Sequence, residues 1–247
     1  MPLAPASPPR DSASTGSIEM LAGRSLSDEL MDDPALDLAT YAAVLGDLAK
    51  VNTVTMARRP TLAFLERALV GAKSFRLLDV GFGDGDMLRA IARWASGRGI
   101  MAELVGIDLN PRSETVARAS TPDELKIDWR TGDYADLERE PWDLVVSSLV
   151  AHHMTHDQLI AFLRFMDRHG TRGWFINDLH RHGFAYLGFP LLARMFFWHP
   201  IVRHDGQLSI ARSYRPAEWG PLLAEADIVG GRAFRAFPFR LCVEAIR

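Results

Sequence analysis

Cysteine is almost absent from this chain of 247 residues, because Cys242 is its single example. One cysteine excludes an internal disulfide framework and leaves no set of thiolates for a structural zinc site. A run of basic residues is also missing, and the formal net charge is -3, so the chain lacks the positive stripe that nucleic-acid binding usually requires. These absences favour a reducing cytoplasm and a small-molecule or protein partner.

Long apolar runs are absent as well. No window approaches the roughly 18 to 20 uninterrupted apolar residues of a membrane span, and residues 1–24 lack the apolar centre of a secretory signal. The opening is instead rich in Pro, Ser and Ala, a composition typical of disordered chain. We therefore predict a disordered leader over residues 1–27 and no membrane span.

The rest of the chain alternates strand and helix patterns. With 48% apolar residues, it can bury one large core with appendages. Apolar residues at helical spacing from Leu30 to Lys50, and again after Pro60, predict two N-terminal helices. Thereafter short apolar runs alternate with amphipathic segments, as in "MAELVGID" before "PRSETVARAS". This alternation predicts an α/β fold: a Rossmann-like, doubly wound, mostly parallel seven-stranded sheet with helices on both faces.

The alternation stops after Asp178, where a long segment rich in aromatic residues and histidine follows the fifth strand. Ligands of such sheets bind outside the carboxyl ends of the strands. We predict a helical lid over residues 28–72, a main domain over residues 73–247, and within it an insertion at about 179–212 that caps the substrate.

Three glycines at alternate positions follow the first strand in "LLDVGFGDGD". Gly81 and Gly83 fit the dinucleotide fingerprint G-x-G-x-x-G, but Asp86 stands where its third glycine belongs. Gly85 instead completes the pattern D-x-G-x-G-x-G from Asp79. Carboxylates around this loop would repel a pyrophosphate but suit a ligand with ammonium and sulfonium cations. The loop therefore indicates S-adenosylmethionine.

Residues 77–178 resemble the class I S-adenosylmethionine-dependent methyltransferases. The resemblance implies that the glycine loop packs against the methionyl part of the cofactor and that Asp108, in "VGIDLNP", accepts both ribose hydroxyls. It also implies that Asp133, in "TGDYADL", receives the adenine amine, although a turn cap is the alternative for this residue. Other predicted cofactor contacts are Tyr134 or Leu109, which would flank the adenine ring, and Ser148.

The predicted lid offers polar residues that could close over the cofactor, since the family often uses this region in that way. The candidates are Tyr41, Asn52, Arg58 and Arg59. An arginine here could pair with the methionyl carboxylate through two hydrogen bonds. The alternative is an arginine in solvent.

Histidines follow the fourth and fifth predicted strands and could accept a proton from the acceptor. Methyl transfer depends mainly on alignment and exclusion of water, and a base is needed only for a nucleophile such as a phenol. In "SLVAHHM" we predict that His153, rather than His152, faces the acceptor. His180 beside Asp178 is a second candidate base with its carboxylate, unless both merely satisfy loop backbone. Weaker catalytic candidates are His199, His204 and Asp205.

The motifs predict no metal site. The chain has eight histidines, but it contains neither an H-E-x-x-H motif nor a Cys/His cluster. Its imidazole-rich spacing also differs from the acidic and amide ligands of magnesium-dependent catechol methyltransferases. We expect S-adenosylmethionine, with S-adenosylhomocysteine as its product, to be the cofactor.

"SLVAHHM" and "GWFINDLHRH" are similar to motifs of bacterial secondary-metabolism methyltransferases that accompany type III polyketide synthases, and the paired histidines also resemble those of quinone-biosynthesis methyltransferases. The resemblance implies O-methylation of a small phenolic or polyketide-derived acceptor by a monomer or homodimer. Residues expected to line its apolar pocket, unless they are ordinary core, are Phe184, Tyr186, Phe189, Met195, Phe196, Phe197 and Trp198. Two alternatives stay open: an NAD-dependent oxidoreductase, whose ribose Asp108 would also hold, and a non-catalytic S-adenosylmethionine-binding module.

Overall fold

Short apolar runs form the strands of one central sheet in this computed structural model, which describes residues 21–247. Leu77 and Leu78 are adjacent and fully buried, as expected of a parallel strand covered on both faces. The seven strands are β1 Ser74–Val80, β2 Met101–Asp108, β3 Ile127–Thr131, β4 Trp142–Ser148, β5 Gly170–Leu179, β6 Arg232–Ala236 and β7 Arg240–Ile246.

The strand order is β3-β2-β1-β4-β5-β7-β6. Strands β1 to β5 are mutually parallel, whereas β7 runs antiparallel to both β5 and β6. The sheet therefore departs from the dinucleotide-binding order 3-2-1-4-5-6 at its last strands. The predicted Rossmann-like, mostly parallel seven-stranded sheet is confirmed.

The described residues also form eight α-helices. They are α1 Leu38–Val54, α2 Arg59–Ala68, α3 Asp86–Ser96, α4 Pro111–Ser120, α5 His156–His169, α6 Gly183–Met195, α7 Pro200–Arg212 and α8 Pro216–Glu225. Helices α2 and α3 pack on one face with Leu77 and Phe175. Helices α5 and α8 pack on the other with Leu78 and Trp174. Among the helices described, not one combines the length and hydrophobicity of a membrane span.

The amino-terminal segment differs from the predicted disordered leader where the structure describes it. Residues 1–20 of that leader lie outside the described residues. In residues 21–27, Arg24 donates hydrogen bonds to the hydroxyl of Tyr214 and, at 3.0 Å, to the carbonyl of His152. The amide of Ser25 donates to the carbonyl of Ala211 at 3.0 Å. This segment thus lies against the loop after β4 and against α7.

Helices α6 and α7 form the segment predicted as an insertion after β5. Trp198, between them, is 2% exposed and stacks on Phe196 and Phe189. It packs with Val44 of α1 and Val202 of α7, so the insertion is joined to the first helix by a small core of its own. The exact limits of the lid, main domain and insertion stay predictions.

Candidate functional site

A cavity of about 470 Å³ lies at the carboxyl ends of the central strands. The loop after β1 (residues 81–86, the glycine loop) lines one part of it, and the segment 148–154 after β4 lines another. Helix α1, residues 29–32 and helix α7 also contribute to the lining. Small-molecule pockets have volumes of about 300–1,000 Å³, so the cavity suits ligands of that size.

The glycine loop presents bare backbone to the cavity. Gly83 has φ +58°, and a Cβ there would have only Leu45 Cδ2 nearby, at 3.7 Å. Gly85 has φ +80°, and its Cβ would lie 2.3 Å from Cη2 of Trp129. Packing therefore requires glycine at position 85, whereas at 83 the missing side chain leaves space that a ligand can enter.

Two carboxylates beside this loop, the buried Asp79 and the half-buried Asp108, have no ion-pair partner among residues 21–247. Asp79, at the end of β1, is 1% exposed, and its Oδ1 has no hydrogen-bond partner there. Burial, followed by the charges of Asp86 and Asp108, raises the pKa of Asp79 to about 8. Asp108 accepts hydrogen bonds from the amides of Gly83, at 3.0 Å, and Asn110, at 2.9 Å, and burial raises its pKa. A cationic ligand would offset this concentration of negative charge.

The other acids of the loop are neutralised by arginine. Asp84 pairs with Arg89 at 2.7 Å. Asp86 pairs with Arg58 at 2.9 Å and accepts a longer hydrogen bond from Asn52. Two of the predicted lid residues, Arg58 and Asn52, therefore contact the glycine loop rather than solvent.

The remaining predicted lid residues have different surroundings. The hydroxyl of Tyr41 lies 2.8 Å from Ser113 Oγ, and Tyr41 lines the cavity. Arg59 is exposed and does not line it.

The predicted adenine contacts have different positions. Leu109 and Tyr134 line the cavity, as does Ser148, whose buried Oγ has no hydrogen-bond partner in the described chain. Asp133 is exposed, does not line the cavity, and accepts a hydrogen bond from the amide of Ala135 at 2.9 Å. In this structure Asp133 caps a turn, and its contact with adenine stays a prediction.

The loop after β4 brings His152, rather than His180, to Asp178. His152 Nδ1 lies 2.7 Å from Asp178 Oδ1, and the amide of His152 donates to Asp178 Oδ2 at 2.9 Å. Burial alone would lower the pKa of His152, but the hydrogen bond to Asp178 and the charges of Asp178 and Glu29 outweigh it and raise the pKa to about 9. Burial would raise the pKa of Asp178, but His152 and two backbone amides hold it below its usual value.

The predicted His180–Asp178 pair is therefore wrong. In the parallel pairing of β4 with β5, Ser148 lies opposite Asn177. The loop that follows β4 therefore lies beside Asp178, the next residue of β5. The amide of His180 donates instead to the carbonyl of Phe239, and His180 does not line the cavity. Burial, followed by neighbouring cationic groups, lowers its pKa to about 4.

His153 lines the cavity, as does His152, and lies among carboxylates; that His153 rather than His152 faces the acceptor stays a prediction. Its Nδ1 is 3.4 Å from Asp32 Oδ2, and its Nε2 is 3.9 Å from Glu29 Oε2. His152 Nε2 lies 3.6 Å from Glu29 Oε1. We call this group the histidine cluster, and its members are Glu29, Asp32, His152, His153 and Asp178.

The weaker catalytic candidates have structural contacts. His199 accepts a hydrogen bond from the amide of Ile201 and caps α7. Asp205 accepts hydrogen bonds from the amides of Leu30, at 3.0 Å, and Met31, at 2.9 Å. His204 in turn lies 2.8 Å from Asp205. Asp205 thus holds residues 29–32 against the cavity.

The predicted aromatic pocket is largely wrong, because Phe189 alone of its seven residues lines the cavity. Phe184, Met195 and Phe197 are mostly exposed, and Trp198 is buried in the core between the insertion and α1. The apolar lining comes from α1 and α7 instead, and includes Val44, Leu45, Leu48, Val202 and Ile210.

Sequence reasoning missed several lining residues, among them Glu29, Asp32 and Arg240, and it did not identify His152 as the partner of Asp178. Arg240 begins β7, is 3% exposed, and makes its single side-chain hydrogen bond in the described chain to Asn52 Oδ1, at 3.3 Å. Glu29 and Arg240 are remote in sequence from every motif, so no local signal marked them.

Comparisons with known proteins agree with this fold. Residues 77–173 match the family model described as "Methyltransferase domain". Among proteins with curated descriptions, none matches this chain in sequence. The chain has a structure similar to that of the plantazolicin methyltransferase BamL, crystallised with a triazolic desmethylPZN analog and SAH, with 16% identity, a TM-score of 0.63, and coverage of 90% of this chain and 80% of that one.

Two further solved structures show the same fold. A SAM-dependent methyltransferase from Aquifex aeolicus is 16% identical with a TM-score of 0.59, over 85% of this chain and 98% of that one. Magnesium protoporphyrin IX methyltransferase (ChlM) from Synechocystis PCC 6803, with bound SAH, is 16% identical with a TM-score of 0.52, over 96% and 95%. The similarity thus extends over nearly the whole chain.

Proposed function

We propose that this chain, a methyltransferase by its domain and fold, transfers the methyl group of S-adenosylmethionine to the hydroxyl of a small phenolic acceptor. One observation carries the proposal: a single cavity joins the glycine loop, with its uncompensated carboxylates, to the histidine cluster. The first part suits a cationic donor, and the second can accept a proton.

The residues present fit the donor. Asp79 has a buried oxygen without a partner, which a cationic group of the donor would satisfy. Asp108 faces the cavity and can accept ribose hydroxyls. The bare face of Gly83 allows close approach to the backbone. When bound, S-adenosylmethionine supplies a methyl group on a sulfonium, which leaves as a neutral thioether.

His153 is our candidate for the proton acceptor. Nε2 of His153 would take up the phenolic proton as the phenolic oxygen accepts the methyl group that S-adenosylmethionine would supply. Asp32 and Glu29, at 3.4 and 3.9 Å, stabilise the imidazolium that forms. The apolar residues of α1 and α7 in the lining exclude water and favour an apolar acceptor body.

Mass spectrometry tests the proposal with the full chain, S-adenosylmethionine carrying a deuterated methyl group, and a panel of phenols. We expect one labelled methyl group on the hydroxyl of an active phenol. His153→Gln should lower turnover by about 10²–10⁴-fold while leaving the affinity for S-adenosylhomocysteine, measured by calorimetry, unchanged. His156→Gln is the matched control, because His156 is exposed and contacts Glu225 at the surface.

The other outcomes identify the alternatives. Tight binding of S-adenosylhomocysteine without turnover on any phenol would favour a non-catalytic binding module. Binding of NADH in place of S-adenosylhomocysteine would favour the oxidoreductase. Equal loss of turnover and cofactor affinity in His153→Gln would show that His153 is structural.

A further inference from the structure

Two imidazoles converge on one carboxylate in the histidine cluster. His152 Nε2 is 3.6 Å from Glu29 Oε1, and His153 Nε2 is 3.9 Å from Glu29 Oε2. One ligand atom from each of the three residues lies within 4.8 Å of the others. Both histidine contacts are too long for hydrogen bonds.

The convergence leaves a buried nitrogen without a partner. The side chain of His152 is 2% exposed, and its Nε2 makes no hydrogen bond within residues 21–247. Buried polar atoms are almost always satisfied, and an exception needs an explanation such as an ion. A metal ion that displaced the proton from this nitrogen would satisfy it.

Each of the three side chains is also fixed by a second group. Nδ1 of His152 is 2.7 Å from Asp178, and Nδ1 of His153 is 3.4 Å from Asp32. Ser209 donates a hydrogen bond to Glu29 at 2.7 Å. Metal-bound histidine typically has a carboxylate or carbonyl on its other ring nitrogen, which sets the ring orientation and the tautomer.

We propose that Glu29, His152 and His153 bind one divalent transition-metal ion, with Zn²⁺ as the best match. Two imidazoles and a carboxylate suit Zn²⁺, whereas Mg²⁺ prefers oxygen ligands. Bond lengths of about 2.0–2.2 Å in a tetrahedral site imply ligand atoms about 3.3–3.6 Å apart. The two histidines contact different oxygens of Glu29, and one ligand atom from each of the three residues lies within 4.8 Å of the others, so the side chains must move slightly inward to reach this spacing.

Three protein ligands leave one tetrahedral position open to the cavity, as in catalytic zinc sites. An acceptor hydroxyl bound there would have a lowered pKa and would lose its proton to solvent. In the metal-bound protein His153 is a ligand, and the ion activates the hydroxyl in its place. This role rests on the proposed function, but binding of the ion does not.

Titration with Co²⁺ alone, as a coloured substitute for Zn²⁺, tests the site in the full chain without a polyhistidine tag, cofactor or acceptor. We expect visible absorption bands that saturate at one Co²⁺ per chain and disappear when Zn²⁺ is added. Glu29→Gln and His153→Asn should each weaken binding at least tenfold, and Asp178→Asn by about 10–100-fold. His156→Asn, at the exposed surface, should bind like the parent.

Circular dichroism and calorimetry with S-adenosylhomocysteine confirm that each variant is folded. Absence of a one-to-one Co²⁺ complex in the parent, or equal affinity in Glu29→Gln and His153→Asn, would overturn the proposal. Methyl transfer in EDTA without Co²⁺ binding would overturn the metal site and leave the proposed function intact. A one-to-one Co²⁺ complex without methyl transfer to any phenol would do the reverse.

Discussion

Asp79 lies wholly inside the protein, where its charge has no cation to balance it in the described chain. Its pKa rises from the ordinary 3.8 to about 8 because of burial and the charges of Asp86 and Asp108. Because the pKa of this carboxyl is higher in the folded state than in the unfolded state, its ionisation destabilises the fold. The protein is therefore more stable at low pH, where the carboxyl is protonated. This extra stability is lost as the pH rises from about 4 to about 8.

We therefore expect Asp79→Asn to stabilise the protein without cofactor at pH 8 but not at pH 4. The amide cannot ionise, so the variant avoids the cost of a buried charge at the higher pH. Its Tm at pH 8 should exceed that of the parent by several degrees, at about 2–4 °C for each kcal/mol. Differential scanning fluorimetry at pH 4, 6 and 8 measures the difference.

Asp128→Asn is the control for this experiment, because Asp128 is about half-exposed on β3. The Tm of Asp128→Asn should differ little from that of the parent at all three pH values. Asp79→Asn should also weaken the binding of S-adenosylhomocysteine. A variant that is destabilised at pH 8 would contradict the electrostatic account of Asp79.

Sequence reasoning located residues of the cavity lining where the pattern around them is local. Asp79 and Asp108 lie at the ends of β1 and β2, at positions that the glycine pattern and the next strand mark, and both line the cavity. Glu29 reaches His152 across 123 residues, a distance over which spacing in the sequence carries no information. The pairing of Asp178 likewise depends on the register between β4 and β5, which no motif specifies.

Within the glycine loop, one glycine is required for folding and another is proposed to be required for binding. Gly83→Ala and Gly85→Ala both place a side chain at positive φ, which costs about 1 kcal/mol or more. Gly85→Ala also drives its Cβ into the ring of Trp129. We expect Gly85→Ala to lower Tm strongly, and Gly83→Ala to lower it modestly while abolishing measurable affinity for S-adenosylhomocysteine.

Thermal unfolding and calorimetry on the two variants make this comparison. Gly99→Ala, on the loop after α3, is the control for the backbone cost alone, because it has φ +66° with nothing near its Cβ. Retained cofactor affinity in Gly83→Ala would show that the ligand does not approach this backbone.

The segment 29–32 depends on Asp205 of α7 for its position. Both carboxylate oxygens of Asp205 accept amides from this segment. Asp205→Ala should release Glu29 and Asp32 from the histidine cluster, so kcat/KM for a phenolic acceptor should fall at least tenfold. Affinity for S-adenosylhomocysteine should change less than about twofold, because the glycine loop is untouched. Steady-state kinetics and calorimetry measure the two quantities.

Asp123→Ala, in the exposed loop before β3, provides the control. Equal losses of acceptor kinetics and cofactor affinity in Asp205→Ala would mean that α7 supports the whole cavity rather than one segment.

Helix limits were predictable where the signals are local. The predicted helix "PRSETVARAS" agrees with α4 to the residue, because a proline starts it. The insertion was harder. Helix α6 is apolar nearly all round, so its sequence could not show that Phe189 faces the cavity while Phe184 and Met195 face solvent.

Ligand binding should stabilise the molecule as a whole. A ligand that binds the folded state alone stabilises it by about 2.7 kcal/mol at 100 times its Kd. At about 2–4 °C for each kcal/mol, S-adenosylhomocysteine should raise Tm by about 5–10 °C. NADH at the same concentration should leave Tm unchanged, and scanning fluorimetry compares them. An equal rise in Tm with NADH would favour the oxidoreductase alternative.

The class of the whole fold was predictable because alternation of strands and helices leaves few stable arrangements. The antiparallel position of β7 between β5 and β6 was not predicted. Pairing at that edge depends on contacts between distant segments. One such contact is Glu244 of β7, which binds Arg67 of α2 and Arg232 of β6.

The lining of the cavity is divided unevenly along the chain. Asp79, Gly83 and Asp108 belong to the stretch 77–173 that matches the methyltransferase domain, whereas Glu29 and Asp205 lie in its flanks. A change in the flanks during evolution could therefore alter the choice of acceptor while the residues proposed to bind the donor stay the same. A chimera that joins this central stretch to the flanks of a relative would be the laboratory version of that exchange.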